Sequence, residues 1–380
     1  MTPILILDGG LGTSLEQKYH IKFGPSRPLW STDLVVSAPH TLLQCQSDFG
    51  RLPVDILLTA TYQVSVRAFN NTCHSHTSFP RGIGASDIPR FLERAVCIAE
   101  SATQQQQHQP QQQEQQEQPH HQEEEEDEEE QQGQRRQHEG ARASVALSLG
   151  PYGATMIPSQ EYSGQYDSQH DSQASLYEWH RERLALFGKV DGLSSRVSHL
   201  AMETIPRVDE IAAMRRALDA VPELAGVPFW MSCLFPGEGQ VLPTGETIQE
   251  ALRTMFDASV ARCLPWGVGI NCTKVRKVPA LLERYEEVVA DMVREGIVAE
   301  WPALVLYPDG TNGEVYNTAT QEWELPQQDT TTQDKKLPWE QQLVEAVRAT
   351  QSRGKWKQIV VGGCCMTSSE DIARLRNILL

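Results

Sequence analysis

No stretch of this 380-residue chain approaches the ~20 consecutive apolar residues that a membrane-spanning helix needs. Residues 1–10 are too short an apolar stretch, and lack the basic lead, to form a secretory signal. Basic residues are scarce beside acidic ones, 33 against 50, for a formal charge of -17. That balance leaves no electrostatic footprint for nucleic acid or an anionic membrane. The eight cysteines lack the close spacing of a disulfide-stapled small scaffold or a local zinc finger. They are expected to be reduced, in a cytoplasmic protein.

What the chain does have is alternation. Apolar, β-rich runs end at Asp8, at Thr59, at Gly150, near Thr204, at Phe235, at Cys272, at Pro308 and at the Cys364-Cys365 pair. Between them, residues 88–102, 176–187, 208–220, 248–263, 278–294 and 340–353 carry apolar side chains at helical spacing. Thr367-Ser368-Ser369-Glu370 reads as a capping box that opens a last helix. Eight strands alternating with helices predict an α/β fold, a (β/α)8 TIM-type barrel; a doubly wound open sheet is the alternative. Residues 1–380 are expected to form one such domain.

One segment breaks the pattern. Residues 104–139 are glutamine-rich and then acidic, with eleven acidic and two basic residues and hence -9 of the total charge. Such a composition cannot bury enough apolar surface to fold, so a disordered insertion is expected between the second helix and the third strand. That position lies on the barrel face opposite the chemistry. A second polar stretch, 317–336, follows strand seven on the active-site face. It is expected to be a long loop with Trp323 against the barrel, a lid being the other reading.

The chemistry is concentrated at strand ends. Cys364 and Cys365 follow Gly362-Gly363, and Cys272 ends the run Gly269-Ile270-Asn271-Cys272-Thr273. Neighbouring cysteines seldom bridge each other, but both can point a thiolate at one metal. Three thiolates with no obvious fourth ligand suggest zinc, one ion per chain, with an open coordination position. The plainer reading, small buried packing residues, applies to Cys45, Cys73, Cys97 and Cys263. Cys233, near the end of strand five, is the one rival ligand. Asp8 and Glu203 are carboxylates at the same rim, suited to a substrate ammonium, and Gly9-Gly10 would let backbone amides approach a carboxylate. Together they suggest an amino-acid ligand. His180 and His199 read as structural.

Several motifs, taken in order, resemble the homocysteine S-methyltransferases. They are Asp8-Gly9-Gly10-Leu11-Gly12-Thr13, Pro28-Leu29-Trp30-Ser31, Ser148-Leu149-Gly150-Pro151-Tyr152-Gly153-Ala154, Glu161-Tyr162-Ser163-Gly164, Glu203-Thr204-Ile205-Pro206, and the segments around Cys272 and Cys364-Cys365. The resemblance covers almost the whole chain outside 104–139. It implies a zinc-dependent barrel that transfers a methyl group to L-homocysteine and makes methionine. By motif, Cys272, Cys364 and Cys365 would be the zinc ligands. Asp8, Glu203 and the Gly9 and Gly10 amides, with Asn271, would bind the substrate. No further catalytic group is expected, since zinc would hold the substrate sulfur as thiolate.

Thr59-Ala60-Thr61-Tyr62-Gln63 looks like the branch that uses S-methylmethionine or S-adenosylmethionine. The betaine-using branch carries a C-terminal dimerisation arm, whereas here residues 366–380 alone follow the cysteine pair, so a monomer and failure with betaine are expected. Two departures stand out. Met366 replaces the arginine common in the family, and Tyr307 to Glu314 is longer than the usual segment. The alternatives are a betaine- or selenocysteine-type methyltransferase, or a non-catalytic zinc-binding relative acting as an interaction protein.

Overall fold

The computed structural model describes residues 2–24, 26–73, 79–104, 142–311, 314–317, 322–324 and 337–380. In chain order the strands are β1 (Ile4–Ile6), β2 (Ile56–Leu58), β3 (Ser144–Leu149), β4 (His199–Ile205), β5 (Phe229–Cys233), β6 (Gly267–Lys274), β7 (Ala303–Asp309), β8 (Val315–Asn317), β9 (Glu322–Glu324) and β10 (Ile359–Val361). All but β8 and β9 form one parallel eight-stranded sheet, running β1-β10-β7-β6-β5-β4-β3-β2. A parallel bridge between Leu7 and Ile56 joins the two ends. The sheet is therefore the expected (β/α)8 barrel, not an open one. β8 and β9 pair as an antiparallel hairpin after β7.

The period of two along each strand sorts residues into two cores. Leu7, Ala146, Ala201, Trp230, Val305 and Val360 pack with one another inside the barrel. Their neighbours Ile6, Leu147, Leu200, Met231, Leu304 and Val361 face the other way, into the layer between strands and helices. Trp230 fills the interior, its indole N–H donating to the Tyr307 hydroxyl at 3.1 Å. The helices of that outer layer include α1 (Leu11–Tyr19), α2 (Pro39–Gly50), α3 (Ile88–Gln104), α4 (Gln173–Phe187), α5 (Val208–Asp219), α6 (Ile248–Phe256), α7 (Val278–Arg294), α8 (Trp339–Arg353) and α9 (Ser369–Leu379). None of the described helices is long and apolar enough to cross a membrane.

Three local expectations need correction. The helix expected over 248–263 stops at Phe256, because Asp257 turns to an extended ψ of 110°. The capping box of α9 lies one residue further on: the Ser368 side chain caps Asp371 and Asp371 answers. Cys73 and Cys97 are exposed, not core, and Cys263 is half-buried beyond the end of α6. Residues 105–139 of the expected insertion lie outside the described residues, as does the Trp323 side chain.

Candidate active site at the carboxyl ends of the strands

Going two residues up each strand from the barrel interior reaches the rim. Ser148 stands two residues beyond Ala146, Glu203 two beyond Ala201, and Tyr307 two beyond Val305, so all three keep the inward direction. With Asp8, Asn271 and Cys272 they line a cavity of about 160 Å³, joined by Cys364 and Cys365 from the turn after β10. In a barrel of this kind the carboxyl-terminal face is where catalytic groups gather.

Glycines make the convergence sterically possible. A Cβ on Gly10 would stand 2.5 Å from the Cys364 carbonyl oxygen, and one on Gly363 would overlap the Thr367 side chain. A larger residue at Gly10 would push the turn after β1 away from the turn after β10, and one at Gly363 would open the turn after β10 itself, which carries the cysteine pair. The Gly10 amide donates to the Thr367 carbonyl at 2.9 Å, so it is not free for a substrate carboxylate as the sequence suggested. The first turn of α1 receives no side-chain cap from its N-cap Gly10.

The sulfurs of Cys272, Cys364 and Cys365 lie within 4.8 Å of one another. Those of Cys364 and Cys365 are 4.0 Å apart. Sulfurs sharing one tetrahedral zinc would stand ~3.8 Å apart, so the donor type fits a soft, tetrahedral metal and the Cys364–Cys365 spacing is near that value. Cys272 and Cys364 are joined as a disulfide, against the expectation that every cysteine is reduced. The physical reason is the same convergence: it brings two sulfurs into bonding range, and the bond and a three-thiolate metal site exclude each other. Cys233, the rival, is fully buried and faces the helix layer with Phe229 and Met231, as the strand's period dictates.

Backbone strain marks this rim. Thr204 (φ 59°) and Cys272 (φ 45°) are both in the left-handed region, which costs a side-chain-bearing residue roughly 1–2 kcal/mol. Each sits where its strand slips register against the next, β4 against β5 and β6 against β7. Asn271 ties the two together. Its side-chain carbonyl accepts from the Thr204 amide at 2.9 Å, and its side-chain nitrogen donates to the Thr204 hydroxyl at 2.6 Å and lies 3.4 Å from the Cys272 sulfur. The Asn271 amide, which also lines the cavity, thus bridges the two strained residues.

The carboxylates are left hungry. One oxygen of Asp8 accepts from the Leu58 amide at 2.8 Å, while the other is buried without a partner. Burial, with the Glu203 charge adding to it, pushes the Asp8 carboxyl up to about 8. Glu203 accepts from the Ser148 hydroxyl, yet burial still raises it to about 7. Glu161 behaves alike, raised by burial to about 7 with one oxygen unpartnered. His180 and His199 stand apart from the cavity. His180 pairs with Glu210 at 2.9 Å, and His199 packs against Trp230 and Trp266.

Other cavity residues had no role assigned from sequence: Tyr62, Tyr162, Glu161, Ser148 and Tyr307. The signal for Ser148 and Tyr307 was available in the strand period. Tyr62, Glu161 and Tyr162 come from loops, where no periodicity points. Met366, which departs from the family pattern, does not line the cavity; Gln17 approaches its sulfur at 3.1 Å from α1.

A family model described as homocysteine S-methyltransferase matches residues 5–379. The chain is 23% identical to the homocysteine S-methyltransferase YbgG of Bacillus subtilis, covering 98% of this chain and 93% of that one. It is 26% identical to a betaine-homocysteine S-methyltransferase of Drosophila melanogaster, over 98% and 92%. The homocysteine methyltransferase MmuM from Escherichia coli, solved in a metallated form, shares the fold with a TM-score of 0.62 at 22% identity, over 99% of this chain and 96% of that one.

Proposed function

The chain belongs to the homocysteine S-methyltransferase family, and on that premise we propose that it transfers a methyl group from a sulfonium donor to L-homocysteine, giving methionine. The observation that carries this reading is the grouping of three cysteine sulfurs within 4.8 Å in the cavity that also holds Asp8 and Glu203. Reduced, Cys272, Cys364 and Cys365 would hold one zinc ion. Bound there, zinc would lower the pKa of an incoming thiol enough to keep it as thiolate near neutral pH.

The chain's own residues set the geometry. Asp8 and Glu203 take the homocysteine ammonium, which supplies a donor to the otherwise unpartnered Asp8 oxygen. The first turn of α1 receives the carboxylate. Asn271, by holding Thr204 and Cys272 in their strained conformations, keeps the cysteine aimed at the cavity. The substrate sulfur then attacks the donor methyl in line. A new S–C bond forms as the S–C bond of the sulfonium breaks, and its electron pair stays on the departing sulfur, which leaves as a neutral thioether. Charge disappears in the step, so a buried, water-poor cavity favours it.

S-methylmethionine is the donor we favour, with S-adenosylmethionine second, on the Thr59–Gln63 motif. Identity to relatives does not separate donors, since the betaine-type relative is as similar as the others. The barrel strands from Ile4 to Val361 support a single catalytic domain interrupted at 104–139. The test is a donor panel on reduced, zinc-loaded protein with homocysteine, read as methionine by mass spectrometry. Methionine from S-methylmethionine and none from betaine is expected; turnover with betaine alone would overturn the reading.

A further inference from the structure

The cavity holds more negative charge than one amino-acid substrate needs. Its lining carries Asp8, Glu203 and Glu161 against one basic residue, Arg27. Asp8 stands at the end of β1 and Glu203 on β4. Glu161 comes instead from the loop after β3, and it lines the cavity with Tyr62, Tyr162 and Cys365.

Glu161 is 8% exposed, and its Oε2 is buried with no hydrogen-bond partner. Its loop is fixed at both ends. The Gln160 amide donates to the Gly153 carbonyl and the Gly164 amide to the Gln160 carbonyl, each at 2.8 Å. A carboxylate so held cannot swing out to water, and an unpaired buried charge is costly unless a ligand answers it. The acceptor brings a single ammonium, already matched by Asp8 and Glu203. The second substrate of the proposed reaction is the one with positive charge to spare.

We propose that Glu161, which lines the cavity together with Tyr62 and Tyr162, is the subsite that receives the positive charge of the methyl donor. This rests on the sulfonium-donor reading above. The carboxylate supplies the counter-charge and the aromatic faces a weaker, shape-tolerant attraction for the cation. A donor that presents a carboxylate here is repelled. Because the positive charge is lost as the methyl moves, Glu161 holds the ground state at least as well as the transition state. Its signature is therefore in KM and not in kcat.

The experiment uses full-length, reduced, zinc-loaded protein and the variants E161Q and E161D. Calorimetric binding of S-methylmethionine and of its neutral thioether counterpart, methionine, is compared with steady-state kinetics. E161Q is expected to raise the S-methylmethionine Kd and KM at least ~10-fold, the size of one lost charge-assisted contact. Homocysteine KM, zinc content and methionine Kd should stay within twofold, kcat should not fall, and E161D should be intermediate. Unchanged sulfonium affinity in E161Q overturns the proposal alone. An equal rise in homocysteine KM also overturns it, by moving Glu161 to the acceptor's side. Wild-type protein that binds no sulfonium and turns over betaine removes the donor reading and this proposal with it.

Discussion

Arg215 and Asp8 are both ionisable groups withdrawn from water, and the protein treats them in opposite ways. Arg215, on α5, is 0% exposed and donates five hydrogen bonds of 2.7–3.2 Å to the carbonyls of Thr254, Asp257, Ala261 and Cys263. It clamps the segment between α6 and β6, at the amino-terminal face of the barrel. Asp8, at the opposite face, has one oxygen bonded and one orphaned. A buried charge with every partner present is structure, because nothing further can approach it. A buried charge with a partner missing is a request for a ligand. The contrast sets a satisfied charge at the foot, which holds the fold, against an unsatisfied one at the rim, where the substrate is proposed to bind.

The sharpest way to break that division is at the cysteines. Cys364→Ser is expected to lower methionine formation by at least ~10³-fold, because the substrate thiol would return toward its ordinary pKa. Bound zinc should fall below one per chain by elemental analysis. The metal-free, reduced variant should nonetheless unfold in urea at the midpoint of the metal-free parent. A variant that keeps its activity, or that unfolds much earlier without metal, would erase the distinction between rim and foot.

The converse variant is Arg215→Met. Removing the guanidinium leaves four buried backbone carbonyls to find new donors, and breaking such a buried charged cluster costs about 3–5 kcal/mol. Urea denaturation followed by far-ultraviolet dichroism should read a loss of that size. At low temperature, the folded fraction should keep the parent's KM for homocysteine. A loss below about 1 kcal/mol would mean that the clamp is incidental.

Sequence made the rim more legible than the foot, for physical reasons. Strand ends and glycine pairs announce themselves, because apolar runs with period two must stop where the barrel meets solvent. The sequence alone therefore places Asp8, Glu203 and Cys272 at one rim. The division between Cys233 and Cys272 was also latent in that period: a single residue of register decides which face of the strand a side chain occupies. Arg215 had no such signal. It reads as one more charge on an amphipathic helix, and its partners are carbonyls of the last turn of α6 and the irregular segment after it, 39–48 residues away. Glu161 was visible only as part of a motif, since its burial depends on how a loop folds over the cavity. The two-way bond of Asn271 with Thr204 spans 67 residues, which no local pattern encodes.

The smallest expected effect tests whether the rim's orphan charges cost the empty protein stability. Burial lifts Asp8 to about 8 and Glu203 to about 7, above their ordinary carboxylate values. A group raised in the folded state favours folding while it is protonated, so its contribution is complete below the ordinary carboxylate pKa near 4. It is lost progressively as pH rises through about 7 to 8. Metal-free, reduced protein should therefore be less stable at pH 8.5 than at pH 6, by about 1–3 kcal/mol once solvent relaxation in the open cavity is allowed for. Other groups also titrate over this range, so the decisive quantity is the difference from a variant. Asp8→Asn should flatten the pH dependence and leave the empty protein more stable than its parent at pH 8.5, while Arg215→Met should shift both pH values equally. If the parent and Asp8→Asn fall together, the Asp8 carboxylate is not strained by its site, and the rim is as well satisfied as the foot.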